Sequence, residues 1–414
     1  MPTTRLVPAL RTGAAWLAAG AVAGAFAVAF RAADQLLFTH AYGRPDVVSA
    51  FTALPVMARL LIPAVGGAVA AGLAARVRGG SGTGQIIAAV SAGSRLPLRA
   101  TLVDAAATFS AISTGGSLGR EGPLLQVGAA AGSALAPKTP TETATDARRT
   151  LITAGTAAGF AAAYNTPFAA VVFVVEVVAR RAAPELVLPA LAATTVATVI
   201  SRAALGGGPL YGLRTFALQS PGELGAYSLL GLAAGLAGPA FMGLLDGGRR
   251  LFRALPAPPA ARGALGGLLV GACALRFPEV AGNGYEVIQR MLDAQYGPAM
   301  LALLLVIKAL GTTASVSSGS PGGVFTPSLF LGGALGGIVG GLAQAVGHAP
   351  HAAGGYVLVG MATMIAATTH APLMAAVLAF ELSGDYAVVL PLFVATTVAA
   401  FVSRRLRSAS IYHL

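Results

Sequence analysis

The chain has 414 residues, of which 56% are hydrophobic and 10% charged, with a formal net charge of +12 and a mean hydropathy of +0.75. A soluble domain carries about 25% charged residues, so a soluble fold is excluded. A membrane β-barrel needs strands that alternate apolar and polar side chains, and the long Ala/Leu/Val/Gly runs show no such alternation. At about 20 apolar residues per span the composition allows roughly ten crossings or more, and the class expected is an all-α polytopic membrane protein. The basic residues sit in short connectors and near the ends (Arg76, Arg78, Arg148, Arg149, Arg180, Arg181, Arg404, Arg405, Arg407), the pattern of membrane loops, so no nucleic-acid partner is expected. Cys273 is the only cysteine, which excludes an internal disulfide and a thiolate metal quartet.

In chain order, the apolar run Ala14–Phe30 follows Arg11 without a cleavage site and is expected to be a retained first helix. Gly80-Ser81-Gly82 is a glycine-rich turn. Thr101–Ser113, Leu124–Leu135 and Phe168–Ala179 are apolar but too short to span alone, whereas Leu224–Leu245 and Ala299–Val316 have full length. The last run, Ala387–Val402, ends close to Leu414, so no appended soluble domain is expected and function is placed in the membrane part, residues 1–414 as one domain. Glycine is abundant, 54 residues, near twice the usual share of about 7%. Helices broken within a bilayer are tolerated only where they are buried in protein or line a polar cavity, so the breaks point to a pathway.

The two parts of the chain resemble each other. At an offset of 205, the segment Gly155 to Pro167 falls on Gly360 to Pro372, and Glu176 on Glu381. At 204, Ser113, Gly115, Gly119, Pro123, Leu125, Gly128 and Gly132 meet Ser317, Gly319, Gly323, Pro327, Leu329, Gly332 and Gly336. A weaker match at 200 puts Gly82-Thr83-Gly84 on Gly282-Asn283-Gly284. Chance matching explains any one glycine but not the coincident proline and glutamate positions. The expected organisation is a first half over 14–205 and a second over 224–414, an internal repeat with its site where the repeats meet.

Gly119-Arg120-Glu121-Gly122-Pro123 and Gly322-Gly323-Val324-Phe325-Thr326-Pro327 each precede an apolar run and read as helix starts. A helix N-terminus offers unpaired N–H groups and partial positive charge, so two aimed at one point form an anion site. Amide dipoles with hydroxyls hold an ion weakly enough to release it, as conduction requires. A carboxylate among such amides competes with the anion, and its protonation removes the competitor.

With these residues assembled, Gly80-Ser81-Gly82, Gly119-Arg120-Glu121-Gly122-Pro123, Gly323-Val324-Phe325-Thr326-Pro327 and the terminal Ser410-Ile411-Tyr412 resemble the four anion-pathway motifs of the CLC chloride channel/transporter family, in order and spacing, over Ala14 to Tyr412. The likeness is to the prokaryotic type, which lacks CBS domains. It implies a homodimer in the bilayer, each subunit an antiparallel (inverted) duplicated bundle of broken, tilted helices with its own pathway. No cofactor or metal is implied; chloride ions occupy the pathway, with bromide accepted. Carried over, Glu121 resembles the gating glutamate. Ser81 and Tyr412 resemble the hydroxyls on the central anion, with the Val324 and Phe325 amides completing its site. Gly80, Gly82, Gly119, Gly122, Pro123, Gly323 and Pro327 shape the turns, and Arg120 contributes positive field at the outer entrance. Ser81 resembles chloride-preferring members, so chloride and bromide are expected over fluoride.

Two departures matter. Gly84 stands where the first motif commonly has Pro. Val177 stands where exchangers of the family carry their inner proton glutamate, directly after the position of Glu176; a valine carries no proton, which favours channel-like passive conduction gated by Glu121. The alternatives are a chloride/proton antiporter with a water-mediated proton route and an unrelated inverted-repeat solute transporter. Glu176 and Glu381 end apolar runs and fit an aqueous boundary or a structural partner. Of the five histidines, His40, His348, His351 and His370 lie away from the motifs and His413 adjoins Tyr412; they form no catalytic or metal cluster in the sequence, so no enzyme is expected. A bacterial inner membrane is the expected location.

Overall fold

The structure is a computed structural model that describes residues 3–77, 82–214, 216, 218, 222–345 and 353–413, the backbone alone over 3–11 and at 353. Among the described residues the chain forms seventeen α-helices and no strand beyond one isolated bridge. They are α1 (Thr3–Ala41), α2 (Val47–Ala53), α3 (Val56–Ala74), α4 (Thr83–Ala92), α5 (Leu98–Ser113), α6 (Glu121–Leu135), α7 (Glu142–Tyr164), α8 (Pro167–Phe173) and α9 (Pro184–Leu205), then α10 (Glu223–Ala254), α11 (Pro259–Arg276), α12 (Tyr285–Leu292), α13 (Pro298–Ser317), α14 (Phe325–Ala345), α15 (Ala353–Thr369), α16 (Pro372–Ser383) and α17 (Val389–Leu406).

Among the described residues seven helices are long and apolar enough to cross a membrane, fewer than the ten that composition allows. The difference is spent on short apolar helices. At about 1.5 Å per residue, the 15 residues of α6 fall well short of a hydrocarbon core of about 30 Å. The sequence-read pieces Thr101–Ser113, Leu124–Leu135 and Phe168–Ala179 are indeed α5, α6, and α8 with the turn that follows it. The first helix is longer than its apolar run, continuing to Ala41.

The chain packs as two compact units, Met1–Ala32 with Arg78–Ala105 and Glu121–Leu210, and Ala33–Val77 with Ala106–Arg120 and Tyr211–Leu414. In the first, α6 lies on α7 through glycines: a Cβ built on Gly128 would stand 2.1 Å from the Gly155 carbonyl oxygen, and one on Gly132 2.0 Å from that of Leu151. In the second, α14 lies on α15 the same way, with 2.2 Å from Gly332 to the Gly360 oxygen and 2.0 Å from Gly336 to that of Tyr356. Between membrane helices, where lipid is as apolar as leucine, such backbone-to-backbone approach is what holds a pair together. Also in the second unit, α3 and α11 meet through Gly67 and Gly263.

Helix ends follow from local chemistry. Thr141 caps α7 by accepting from the Ala144 amide at 3.2 Å. The helix ends at Asn165 in the left-handed region (φ 59°), and Pro167 opens α8 at a position that needs no N–H. His370 (φ 61°) and Pro372 do the same between α15 and α16. The pairing of Gly155 to Pro167 with Gly360 to Pro372 thus corresponds to one repeated helix-stop-helix device.

Gly128→Ala and Gly332→Ala are each expected to cost about 1–3 kcal/mol by forcing packed backbones apart. Gly243→Ala, where a methyl group meets nothing within 4 Å, is expected to be neutral or to stabilise by up to about 1 kcal/mol. Thermal unfolding in detergent checks this; equal midpoints for all three would contradict the packing described.

Candidate functional site

Two loops carry the site in the second unit. Residues 114–120 connect α5 to α6, and 318–324 connect α13 to α14. They meet in an antiparallel bridge: the Gly119 amide donates to the Gly323 carbonyl at 2.7 Å, and the Gly323 amide to the Gly119 carbonyl at 2.8 Å. The paired residues are the ones that the 204 offset makes equivalent. Two residues past the bridge on either side a helix begins, α6 at Glu121 and α14 at Phe325. The predicted helix starts are therefore real, and both follow directly on one hydrogen-bonded pair.

Glu121 is the first residue of α6 and is buried, 4% exposed. Gly122 and Pro123 complete the first turn, both buried. A carboxylate here lies where the partial positive charge of a helix start favours an anion. In α14, Phe325 is buried, and Pro327 occupies the first turn, where its missing N–H leaves no bond unmade. Val324 and Tyr412 pack on one apolar cluster that includes Phe241, Leu331, Met364 and Ile411. The short 3-10 turn Ile411–His413 thus brings the Tyr412 ring to the same cluster as Val324. Arg120 stands with its guanidinium 6.0 Å from the Tyr285 ring centroid, and Tyr285 stacks on Tyr211 at 5.2 Å. Its neighbour Glu286 has one carboxylate oxygen buried with no hydrogen-bond partner. Burial pushes the Glu286 carboxyl up from the usual range, and Arg120 pulls against that shift.

Gly80 and Ser81 lie outside the described residues. Gly82, which follows them, has φ +82° and precedes α4, a conformation that glycine adopts without strain. In the first unit, Gln126 of α6, with its amide oriented to suit its neighbours, accepts from the Gly82 amide at 2.5 Å and donates to Asp104 at 2.8 Å. Val177 is buried, 4% exposed. It sits in a single π turn, Val174–Val178, closed by the Ala179 amide on the Val174 carbonyl at 2.7 Å. Glu176, in the same turn, is half-buried. Such turns inside helices are frequent at functional positions.

The sequence reading passed over a set of buried polar residues behind the loops. Lys308, fully enclosed in α13, donates to the carbonyls of Val280 at 3.0 Å and Gly282 at 2.7 Å and faces the Phe330 ring at 5.2 Å. Ser117 is held from α13 by Thr312 and Ser315. The signal was present: Lys308 is the one charge within the run Ala299–Val316, as Asp104 is within Thr101–Ser113, and the two are 204 apart. Among the described residues no group of three or more His, Cys, Asp or Glu side chains is placed to hold a metal ion.

Comparison with known proteins gives the family. The sequence model of the family described as voltage gated chloride channel matches residues 64–404. The chain belongs to the CLC family. A putative chloride channel protein ClcB-like of Ralstonia nicotianae is 40% identical over 400 residues, covering 94% of this chain and 93% of the relative. The voltage-gated ClC-type chloride channel ClcB of Escherichia coli O9:H4 is 35% identical over 410 residues, 96% and 95% of the two chains. Among solved structures, a slow cyanobacterial Cl-/H+ antiporter matches with a TM-score of 0.84 at 25% identity, over 97% of this chain and 96% of that one. A eukaryotic CLC transporter, at 21% identity and a TM-score of 0.80 over 99% of this chain and 74% of that one, shares the fold. The protein is thus an integral membrane protein with the CLC fold, in a family of channels and transporters.

Proposed function

We propose that this protein conducts chloride passively across a bacterial inner membrane and that Glu121 is the gate. The observation that carries the reading is the bridge between Gly119 and Gly323, because both helix starts, Glu121 and Phe325, follow on it and present their positive ends there. In this reading the Val324 and Phe325 amides and the hydroxyls of Ser81 and Tyr412 hold the central anion. The Glu121 carboxylate competes with the anion for the same positive field, and protonation lets the anion pass. The names of the bacterial relatives, chloride channels, support the ion. The shared glycine packing of α6 on α7 and α14 on α15 supports two inverted halves, 14–205 and 224–414, each contributing one of the helix starts. A homodimer with one pathway per subunit completes the proposal. Family membership removes the unrelated solute carrier.

A chloride/proton antiporter is the second reading, and two observations favour it. The cyanobacterial antiporter is a close structural match, and a half-buried glutamate, Glu176, shares the π turn with Val177. Against it, Val177 is buried and apolar, and a water relay past it needs a roomy cavity with partners for each water.

In liposomes, Glu121→Gln, a mimic of the protonated gate, is expected to raise chloride flux at neutral pH and to flatten its acid dependence. An unchanged pH response would remove Glu121 as the gate. Competition flux is expected to rank chloride and bromide above fluoride; fluoride preferred would reject the anion assignment. A chloride gradient is expected to drive little or no uphill proton movement, and Val177→Glu alone need not create it, because a relay needs several matched groups. Robust chloride-driven proton movement in the wild type, abolished by Glu121→Gln, would establish the antiporter instead.

A further inference from the structure

Lys308, Thr312 and Ser315 stand at i, i+4 and i+7 on α13, which puts them on one face of that helix. All three are buried. A buried polar stripe inside a membrane span is costly unless every group is bonded, and here each is bonded to the chain around one loop. The Lys308 ammonium holds the carbonyls of Val280 and Gly282. The Gly282 amide in turn donates to the Gly115 carbonyl at 3.2 Å. Ser117, fully buried, is gripped twice: its amide donates to the Ser315 hydroxyl at 3.1 Å, and its hydroxyl lies 3.2 Å from that of Thr312. Two residues on, Gly119 makes the bridge, and two residues further the chain reaches Glu121.

We propose that the Lys308, Thr312 and Ser315 stripe is a brace that fixes the loop Gly115 to Arg120 and so sets where Glu121 stands. These are positioning residues; none is assigned a contact with the anion. The proposal rests on Glu121 being the gate. It accounts for hydroxyls at positions where an apolar helix face alone would serve packing, and for a lysine whose hydrogen bonds both end on backbone carbonyls. In the same unit the charged groups acting around this loop are Arg120, Asp46 and Asp34, each of which acts electrostatically on Glu286, and Lys308, on which Glu286 acts in turn. None of them is altered by substituting a hydroxyl of the stripe.

Thr312→Val and Ser315→Ala keep size and remove the bonds to Ser117, and Thr312→Ser and Ser315→Thr restore a hydroxyl. Chloride flux in liposomes is followed against pH for each, with and without Glu121→Gln. The brace predicts that the midpoint moves by about half a pH unit or more in the Val and Ala variants, returns in the hydroxyl-bearing ones, and that the same substitutions have no effect on the pH profile once Glu121→Gln is present. If Glu121→Gln abolishes the pH dependence while Thr312→Val and Ser315→Ala leave the wild-type midpoint in place, the brace is overturned and the gate stands. Loss of thermal stability alone, with an unmoved midpoint, overturns it equally. If Glu121→Gln leaves the pH dependence intact, the gate itself falls and the brace with it.

Discussion

Within hydrocarbon no water is available to satisfy a peptide group, so every interruption of a helix must find its hydrogen bonds inside the protein. The loops 114–120 and 318–324 are such interruptions, and they meet this constraint largely by bonding to each other and to α13. The mutual pair between Gly119 and Gly323 is the centre of that arrangement. From it follow two helices that begin in protein, with buried first turns, and the need for buried donors and acceptors behind the loops. The Lys308, Thr312 and Ser315 stripe supplies these. An anion pathway and its scaffold are consequences of the same requirement.

The second recurring element is the absence of side chains where helices touch. Gly128 against Gly155 and Gly332 against Gly360 leave no room for a methyl group. Because the short helices α6 and α15 are largely buried in protein, their apolar residues pack against protein rather than lipid. This is why seven helices among the described residues, and not ten, have the length and composition of a span. The expectation from composition counted apolar residues correctly but assigned too many of them to lipid.

Much of this was legible in the chain itself. The Gly/Pro motifs marked the helix starts that fall at Glu121 and Phe325, and the offsets of 204 and 205 made Gly119 equivalent to Gly323 and Pro167 to Pro372, while the bridge itself and the stops at Asn165 and His370 came only with the structure. What was not legible was the support. Ser117 and Thr312 are ordinary residues in an apolar context, and only folding reveals that they bond across 195 positions. Nor did periodicity show the π turn at Val174–Val178, since one extra residue in a run of valines leaves no trace in a hydropathy pattern. Tyr412 was recognisable through the resemblance alone; its packing on the cluster that Val324 also packs on depends on the terminal turn returning there.

The bridge has a mechanical consequence. Two loops joined by reciprocal hydrogen bonds between their own backbones cannot be displaced independently, and parting them would leave two donors and two acceptors unsatisfied in a dry interior, at about 1–3 kcal/mol for each group. The backbone at this point is therefore tied from both sides, and the smallest piece that can move without breaking these bonds is a single side chain. Torsional hops of that size take place in picoseconds to nanoseconds when unhindered, whereas collective loop or domain motions need microseconds or longer. On the proposed reading of Glu121, the gate would be a side-chain latch carried two residues beyond this bridged backbone, able to open without rearrangement of the loops.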